Sequence, residues 1–338
     1  MRTLALLLTT FLTAVPEPPN PPIRSEFTRL CMGVQTRIVL YSPSETLASE
    51  AAAAAFDEIN RLDGVMSDYR RSSELNRLSD AAGGAPTPVS PALLDVLSIS
   101  LRIAAASDGA FDPTVGPAVK VWRDARSSRS LPDEAAIAAA RRLVDWRNLN
   151  LDPIAGTARL TSAGMRLDLG GIGKGYAAQE AVDLLIARGY PSCLVALAGD
   201  IAVGAAPPGE PGWRVAVAGE QAGSESPRTL VLANAAVSTS GDTAQFVEIA
   251  GQRYSHICDP RTGLGIPARR SVTVVAPRGA EADALSTAAC ILGFEKAAPM
   301  LRGFPGVAAA FEEHAAHGVT RQEFDPAHLL RWAASPAP

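Results

Sequence analysis

The stretch Met165–Tyr176, MRLDLGGIGKGY, sets four glycines and one lysine behind a short apolar segment that reads as a strand. Glycines let a backbone turn sharply and approach a ligand, so successive amides can face phosphate oxygens, and a helix starting near Lys174 would add its positive end. Lys174 supplies a full charge. The Walker pattern needs Ser or Thr after Gly-Lys, and Gly175 stands there instead. The dinucleotide fingerprint G-x-G-x-x-A is met by Gly173, Gly175 and Ala178, with Asp200 closing the next apolar run, CLVALAGD. A tight turn without a ligand is the third reading, and the loop alone does not separate the three.

Other stretches carry chemistry of their own. In EADALSTAA, Glu281–Ala289, Asp283 and Thr287 stand four apart in a strongly helical sequence, which puts both side chains on one face. A carboxylate and a hydroxyl so placed form a hard-oxygen half-site suited to Mg²⁺, although a solvated helix face would show the same spacing. His256 precedes the turn Asp259-Pro260-Arg261-Thr262-Gly263, which sets a titratable imidazole beside a carboxylate and a guanidinium. A structural histidine fits that position as well. In GAFDPTVGP, two prolines and two glycines forbid regular helix, and Asp112 and Thr114 can hold either the loop's shape or a ligand. His314 and His317, in FEEHAAHG, do not match H-E-x-x-H and read as an exposed hairpin or helix end.

Among the elements that must position these groups, Phe27–Tyr41 reads as a strand interrupted at Met32-Gly33 by a bulge or close contact. Ser44 caps a helix to about Arg61 whose buried face includes Leu47, Ala51, Ala55, Ile59 and Leu62. Met66–Asp80, polar and hydroxyl-rich, reads as a surface lid or binding loop with a capping signal at Ser73. Ser90-Pro91 starts a helix that ends at Gly109. Arg123–Leu131 reads as a charged connection, Pro132–Val144 as an alanine-rich helix, and WRNLNLD and TARLTSAGMRLDL as β-rich. A helix over Gly175–Arg188 and the strand CLVALAGD follow the glycine loop, and further strands are expected at Gly212–Ala218, Thr229–Ala233 and Arg253–Ile257.

The 338 residues, 47% hydrophobic and 20% charged, are those of a folded chain long enough for one large or two ordinary domains. A net charge of -4 and a pI near 5.7 argue against an electrostatic nucleic-acid surface. Cys31, Cys193, Cys258 and Cys290 form no C-x-x-C pair and read as buried thiols, with one disulfide open to an exported protein. MRTLALLLTTFLTAV followed by a proline-rich segment reads as a signal peptide and linker over residues 1–22, leaving 23–338 as one catalytic unit. Export, to the periplasm, is the expectation; Thr28-Arg29-Leu30 before Cys31 is a poor lipobox, so lipoprotein anchoring is not supported.

Taken in order, Met32-Gly33, the MSDY and SELNRLS segment, GAFDPTVGP, LDLGGIGKGY, the AGD turn, STSGD, HICDPRTG and DALST resemble the Mg²⁺-dependent FAD:protein FMN transferases, or ApbE-like family, over roughly Met32–Leu301. The resemblance implies an α+β fold of mixed, largely antiparallel sheets with packed helices, ApbE/T-fold-like, with the active site in a cleft between two halves. It implies a metal site at Asp283, Thr287 and the Gly173 carbonyl. FAD would lie along Met32, Tyr69, Asp112, Thr114, Gly171 and Lys174, with Asp242 and His256 near the reacting phosphate. FAD is then the substrate, and the partner is an acceptor protein carrying a Ser/Thr-Gly-Ala-Ser/Thr-like motif; membrane association would come only through that acceptor or an uncleaved N-terminus. Ala198 in place of the first glycine of a GGD turn, and Ser255 in place of a histidine, depart from the pattern. FAD hydrolysis to FMN and AMP, a non-enzymatic flavin carrier and a nicotinamide-type fold are the competing readings.

Overall fold

The computed structural model describes residues 21–217, 228–241, 246–315 and 318–333. Its first element is a β-hairpin: β1 (Ile23–Cys31) and β2 (Val34–Ser42) pair in register from Ile23↔Ser42 to Cys31↔Val34. Met32 and Gly33 make the two-residue turn with φ of 49° and 74°, the left-handed pair that suits a hairpin's twist. The expected bulge is thus corrected to a chain reversal that puts Met32 at a hairpin tip.

Ser44 accepts from the Leu47 amide and caps α1 (Glu45–Met66), whose Ala48, Ala51, Ala55, Ile59 and Leu62 are buried while Leu47 stays outside. Ser73 caps α2 (Glu74–Asp80), a helix inside the stretch expected to be a loop. β3 (Thr87–Pro88), α3 (Pro91–Ala106), α4 (Gly116–Ser128) and α5 (Glu134–Arg141) follow. α4 replaces most of the expected charged connection: Ala118, Trp122 and Ala125 form a narrow buried stripe that the intervening charges and serines masked. After a 3-10 turn at Trp146–Asn148, β4 (Leu149–Asp152) and β5 (Thr157–Leu160) complete a small sheet with β3. Met165–Leu169, expected to be a strand, joins no sheet. Its alternate residues Met165, Leu167 and Leu169 are buried, but only an isolated bridge ties Arg166 to Val115.

Beyond the glycine loop come α6 (Gly173–Ala187), β6 (Cys193–Leu197), β7 (Asp200–Val203), β8 (Trp213–Ala216), β9 (Thr229–Leu232) and β10 (Ala235–Gly241). Two short hairpins, β11 (Phe246–Ile249) with β12 (Gln252–Ser255) and β13 (Cys258–Asp259) with β14 (Leu264–Gly265), precede β15 (Arg270–Ala276). α7 (Gly279–Leu292), α8 (Phe294–Leu301) and the hairpin β16 (Ala308–Ala315) to β17 (Gly318–Phe324) close the fold. His314 lies in that hairpin, as one of its two sequence readings had it; His317 falls outside the described residues.

One eight-stranded sheet, ordered β1-β2-β6-β7-β10-β15-β16-β17 and antiparallel throughout, carries the molecule. Side-chain alternation divides it between two cores. Ile38, Leu40, Val195 and Leu197 face the helices, whereas Val39, Leu194 and Ala196 face the β8–β9 hairpin with Trp213 and Leu230. Burial on both faces explains why CLVAL reads as an unbroken apolar run. A third, smaller core gathers Trp122 of α4 with Val247, Ile249 and Cys258 of the short hairpins. An antiparallel sheet of this order excludes the nicotinamide-type fold, which is built from parallel β-α-β units.

Candidate active site

The two-residue period of β10 sends Ser238 and Ser240 to the helix side and Thr239 to the other, where it meets Thr273 at 2.9 Å. The helical period of α7 puts Asp283, Ser286 and Thr287 on one face. These faces meet. Ser240 Oγ is 2.8 Å from Ser286 Oγ and 3.2 Å from Thr287 Oγ1, and Ser238 Oγ is 3.2 Å from Ser286 Oγ. Asp200, at the start of β7, accepts from Ser238 Oγ at 2.6 Å through one carboxylate oxygen and from Lys174 Nζ at 2.5 Å through the other. Lys174 Nζ is also 3.8 Å from Asp283 Oδ2.

Asp283 has a second duty. Its carboxylate accepts from the Gly175 amide at 3.1 Å and from the Lys174 backbone, so a residue of α7 caps the N-terminus of α6. Burial pushes the Asp283 carboxyl above its ordinary range, nearby Asp200 pushes it further, and Lys174 with the capping amides pulls the other way. Burial alone would lower the Lys174 pKa; the two carboxylates outweigh it, the net shift is upward, and the ammonium stays charged.

The structure therefore unites Lys174, Asp283 and Thr287, as the sequence expected, and sets the glycine loop against α7. A Cβ on Gly171 would lie 3.0 Å from Thr287 Oγ1, so this peptide runs directly against the α7 hydroxyl. Gly173 is the first residue of α6, where its carbonyl enters the helical hydrogen-bond ladder, and a Cβ there would find only Met32 Cε within 4 Å, at 3.9 Å. Carboxylate, hydroxyls and a loop carbonyl are all hard oxygen donors, which fits Mg²⁺. Among the described residues no three His, Cys, Asp or Glu side chains cluster for a metal.

Met32, at the hairpin tip, points its Cε toward the same loop, 3.9 Å from where a Cβ on Gly173 would lie. Tyr69 stands on the far rim, 77% exposed, with the Arg123 guanidinium 4.5 Å from its ring centroid. Arg123 also pairs with Asp68 and, at 3.1 Å, with Asp168, whose other oxygen accepts from the Gly170 amide at 2.8 Å. Burial and the Asp68 charge push the Asp168 carboxyl upward, and Arg123 opposes them. The segment expected to be a lid is stapled: Asn76 Nδ2 donates to the Ser67, Asp68 and Arg70 carbonyls at 2.9–3.3 Å, and Arg166 holds the Asn76 oxygen at 2.9 Å.

Asp112 and Thr114 are buried in bracing their own loop. Asp112 accepts from the Thr114 amide and hydroxyl and from the Trp146 amide, and Thr114 Oγ1 accepts from the Asp145 amide. The loop's Pro113 carbonyl accepts from the Asp168 amide at 2.9 Å, so these residues set the loop's position beside the glycine segment. His256 is half-buried between β12 and β13. Buried Ser255 anchors it, accepting from the Ile257 amide and giving its carbonyl to Trp122 Nε1, and burial first, then the charges of Asp259 and Asp168, raise the pKa of the nearby Cys258 thiol. Asp242 lies outside the described residues.

Sequence reasoning assigned no role in this site to Asp200, Ser238, Ser240, Ser286, Asp168 or Arg123. The alternate serines of AVSTSG and the carboxylate of LDLGG are signals visible in the sequence; Arg123 lies in a charged, serine-rich stretch that reads as a connection and folds as α4. A cavity of about 620 Å³ lies elsewhere, bounded by Asp112, Trp146, Arg141, Arg142 and Arg261 and touching neither the glycine loop nor α7. Convergent side chains, not cavity size, mark the site.

The model of the ApbE family matches residues 32–311. The FAD:protein FMN transferase of Treponema pallidum (strain Nichols) is 36% identical over 300 residues, covering 83% of this chain and 82% of that protein. The apo crystal structure of the Pseudomonas stutzeri flavinyl transferase ApbE superposes with a TM-score of 0.80 at 29% identity, covering 92% of this chain and 98% of that one. The Thermotoga maritima ApbE protein gives a TM-score of 0.79 at 26% identity, covering 91% and 99%.

Proposed function

The chain belongs to the ApbE family, and from that premise we infer that it is an FAD:protein FMN transferase using Mg²⁺ at the α7–glycine-loop site. The observation that carries the reading is the meeting of Asp283 and Thr287 with Gly171 and Lys174, a hard-oxygen half-site beside a half-buried cation. Asp283, Thr287 and the Gly173 carbonyl would hold the metal, which when bound supplies charge neutralisation to a pyrophosphate. Lys174 lies beside that position, anchored by Asp200, and adds a fixed positive charge where negative charge develops.

A Ser or Thr hydroxyl of the acceptor attacks the phosphorus on the FMN side of FAD. Its oxygen forms the new P–O bond, the bond from that phosphorus to the bridging oxygen breaks, and AMP departs with that oxygen. His256 is the group we assign to take the hydroxyl proton, and the family resemblance assigns Asp242 to the reacting phosphate as well. Tyr69 and Met32 line the flavin nucleotide's path, while Asp112 and Thr114 act by shaping the loop behind it. The acceptor is a flavoprotein with a Ser/Thr-Gly-Ala-Ser/Thr-like motif. The N-terminal residues 1–22 would direct export to the periplasm; fractionation of cells making the full chain, with N-terminal sequencing of the product, tests that placement.

Incubation with FAD, Mg²⁺ and such an acceptor is expected to give a mass gain equal to FMN and one AMP per adduct. AMP without adduct on an acceptor flavinylated by another family member would replace transfer with hydrolysis. FAD binding without AMP would make the protein a carrier. Asp283→Ala is expected to abolish Mg²⁺-dependent turnover, and unchanged activity would remove the metal assignment.

A further inference from the structure

The guanidinium of Arg123 joins three groups from separate parts of the chain. One nitrogen pairs with Asp68, another with Asp168 at 3.1 Å, and the planar group lies 4.5 Å from the Tyr69 ring centroid. Arg123 rises from α4 next to Trp122, which is fully buried and fixed to Ser255. Its base is therefore rigid. Tyr69, by contrast, is 77% exposed, and the Asn76 staple fixes the backbone around it without fixing its ring.

We propose that Arg123 is a positioning residue for FAD: it presses on one face of Tyr69 and presents the opposite face as a preset platform for a planar ring of the substrate. An exposed tyrosine alone would lose rotamer freedom each time a ring stacked on it. Here the cation–π contact and the two flanking carboxylates settle the orientation beforehand. The same guanidinium ties the platform to Asp168, which accepts from Gly170 in the glycine loop, so the ring site and the phosphate site keep a fixed spacing. Arginine is required for this, since lysine can pair with a carboxylate but has no plane to stack.

The inference rests on the transferase reading for the identity of the ligand, so its test reads binding separately from turnover. FAD affinity is measured by flavin fluorescence on the full chain, and KM and kcat by AMP release. Arg123→Lys retains a charge beside Asp168 and guards against loss of fold; Arg123→Met removes charge and stack. Arg123→Lys is expected to weaken FAD binding about 3- to 10-fold and Arg123→Met about 10-fold or more, with KM rising in step and kcat at saturating FAD changing less than about twofold. Tyr69→Ala is expected to weaken binding to a similar extent, and Arg123→Lys/Tyr69→Ala to be no weaker than Tyr69→Ala alone. Unchanged affinity in folded Arg123→Lys, additive losses in the double variant, or a fall in kcat with constant KM would overturn the proposal. A wild-type protein that binds FAD but releases no AMP would overturn the transferase reading and leave the binding comparison decisive for Arg123.

Discussion

Gly175 of α6 and Gly279 of α7 meet backbone to backbone: a Cβ on Gly175 would lie 2.2 Å from the Gly279 carbonyl oxygen, and one on Gly279 would lie 2.1 Å from that of Gly175. The same Cβ on Gly175 would come within 2.7 Å of Asp283 Cβ. Close approach of these helices is what lets Asp283 cap α6 and stand beside Lys174. The second glycine of the apparent dinucleotide fingerprint thus serves a helix crossing. Gly175→Ala and Gly279→Ala are each expected to cost at least about 2 kcal/mol in unfolding free energy and to lower FMN transfer even where the protein remains folded. Gly64→Ala, in α1 with nothing within 4 Å of its added Cβ, is the control and is expected to be neutral or slightly stabilising. Equal melting behaviour of the three variants would refute the packing argument.

Local chemistry was legible wherever it is written within one element. Ser44, Ser73 and Ser90 cap helices at their sequence positions, and Asp283 and Thr287 share a face because their spacing fixes it. What pairing across the chain decides was not legible. Met165–Leu169 has a strand's alternation yet no partner strand, and Met32-Gly33 reads as a bulge or close contact until the pairing of β1 with β2 is known. The same holds for the site. Asp200 is only a polar end to an apolar run until β7 is set beside β10 and under Lys174, and Arg123 gains its meaning from Asp168, 45 residues further along.

Ala198 marks a local departure with a measurable cost. It occupies the first position of the β6–β7 turn with φ of 53°, in the left-handed region where a Cβ is disfavoured. The side chain is exposed and makes no compensating buried contact. Ala198→Gly is expected to stabilise the protein by about 0.5–1 kcal/mol, after allowance for glycine's freer unfolded chain. A denaturant midpoint that falls would show that the turn tolerates alanine without strain.

His256 is separable from binding. Buried Ser255 and Cys258 anchor its loop through their own contacts, so removing the imidazole leaves the frame in place. His256→Ala is expected to lower kcat about 10²- to 10⁴-fold while FAD affinity changes little. Single-turnover AMP release checks this; full activity would assign the proton transfer to another group.

If Mg²⁺ occupies the proposed site, its binding depends on pH through the burial of Asp283. Its carboxyl is pushed up to about 7 in the metal-free fold, above the 3.8 of an ordinary aspartate, so the folded chain keeps a proton that the unfolded chain has released. Between those values the Asp283 contribution to stability falls as pH rises, because the unfolded state binds fewer protons. Mg²⁺ needs the carboxylate, so below about pH 7 it competes with that proton and loses up to about tenfold in affinity per pH unit. The rise in Tm on adding a fixed subsaturating concentration of Mg²⁺ is therefore expected to be larger at about pH 8 than at about pH 6. Asp283→Asn keeps an oxygen for the Gly175 amide and removes the titrating charge; in it the Mg²⁺ shift should shrink at both pH values and lose its pH dependence. A Tm shift that persists unchanged in this variant would place the metal away from α7.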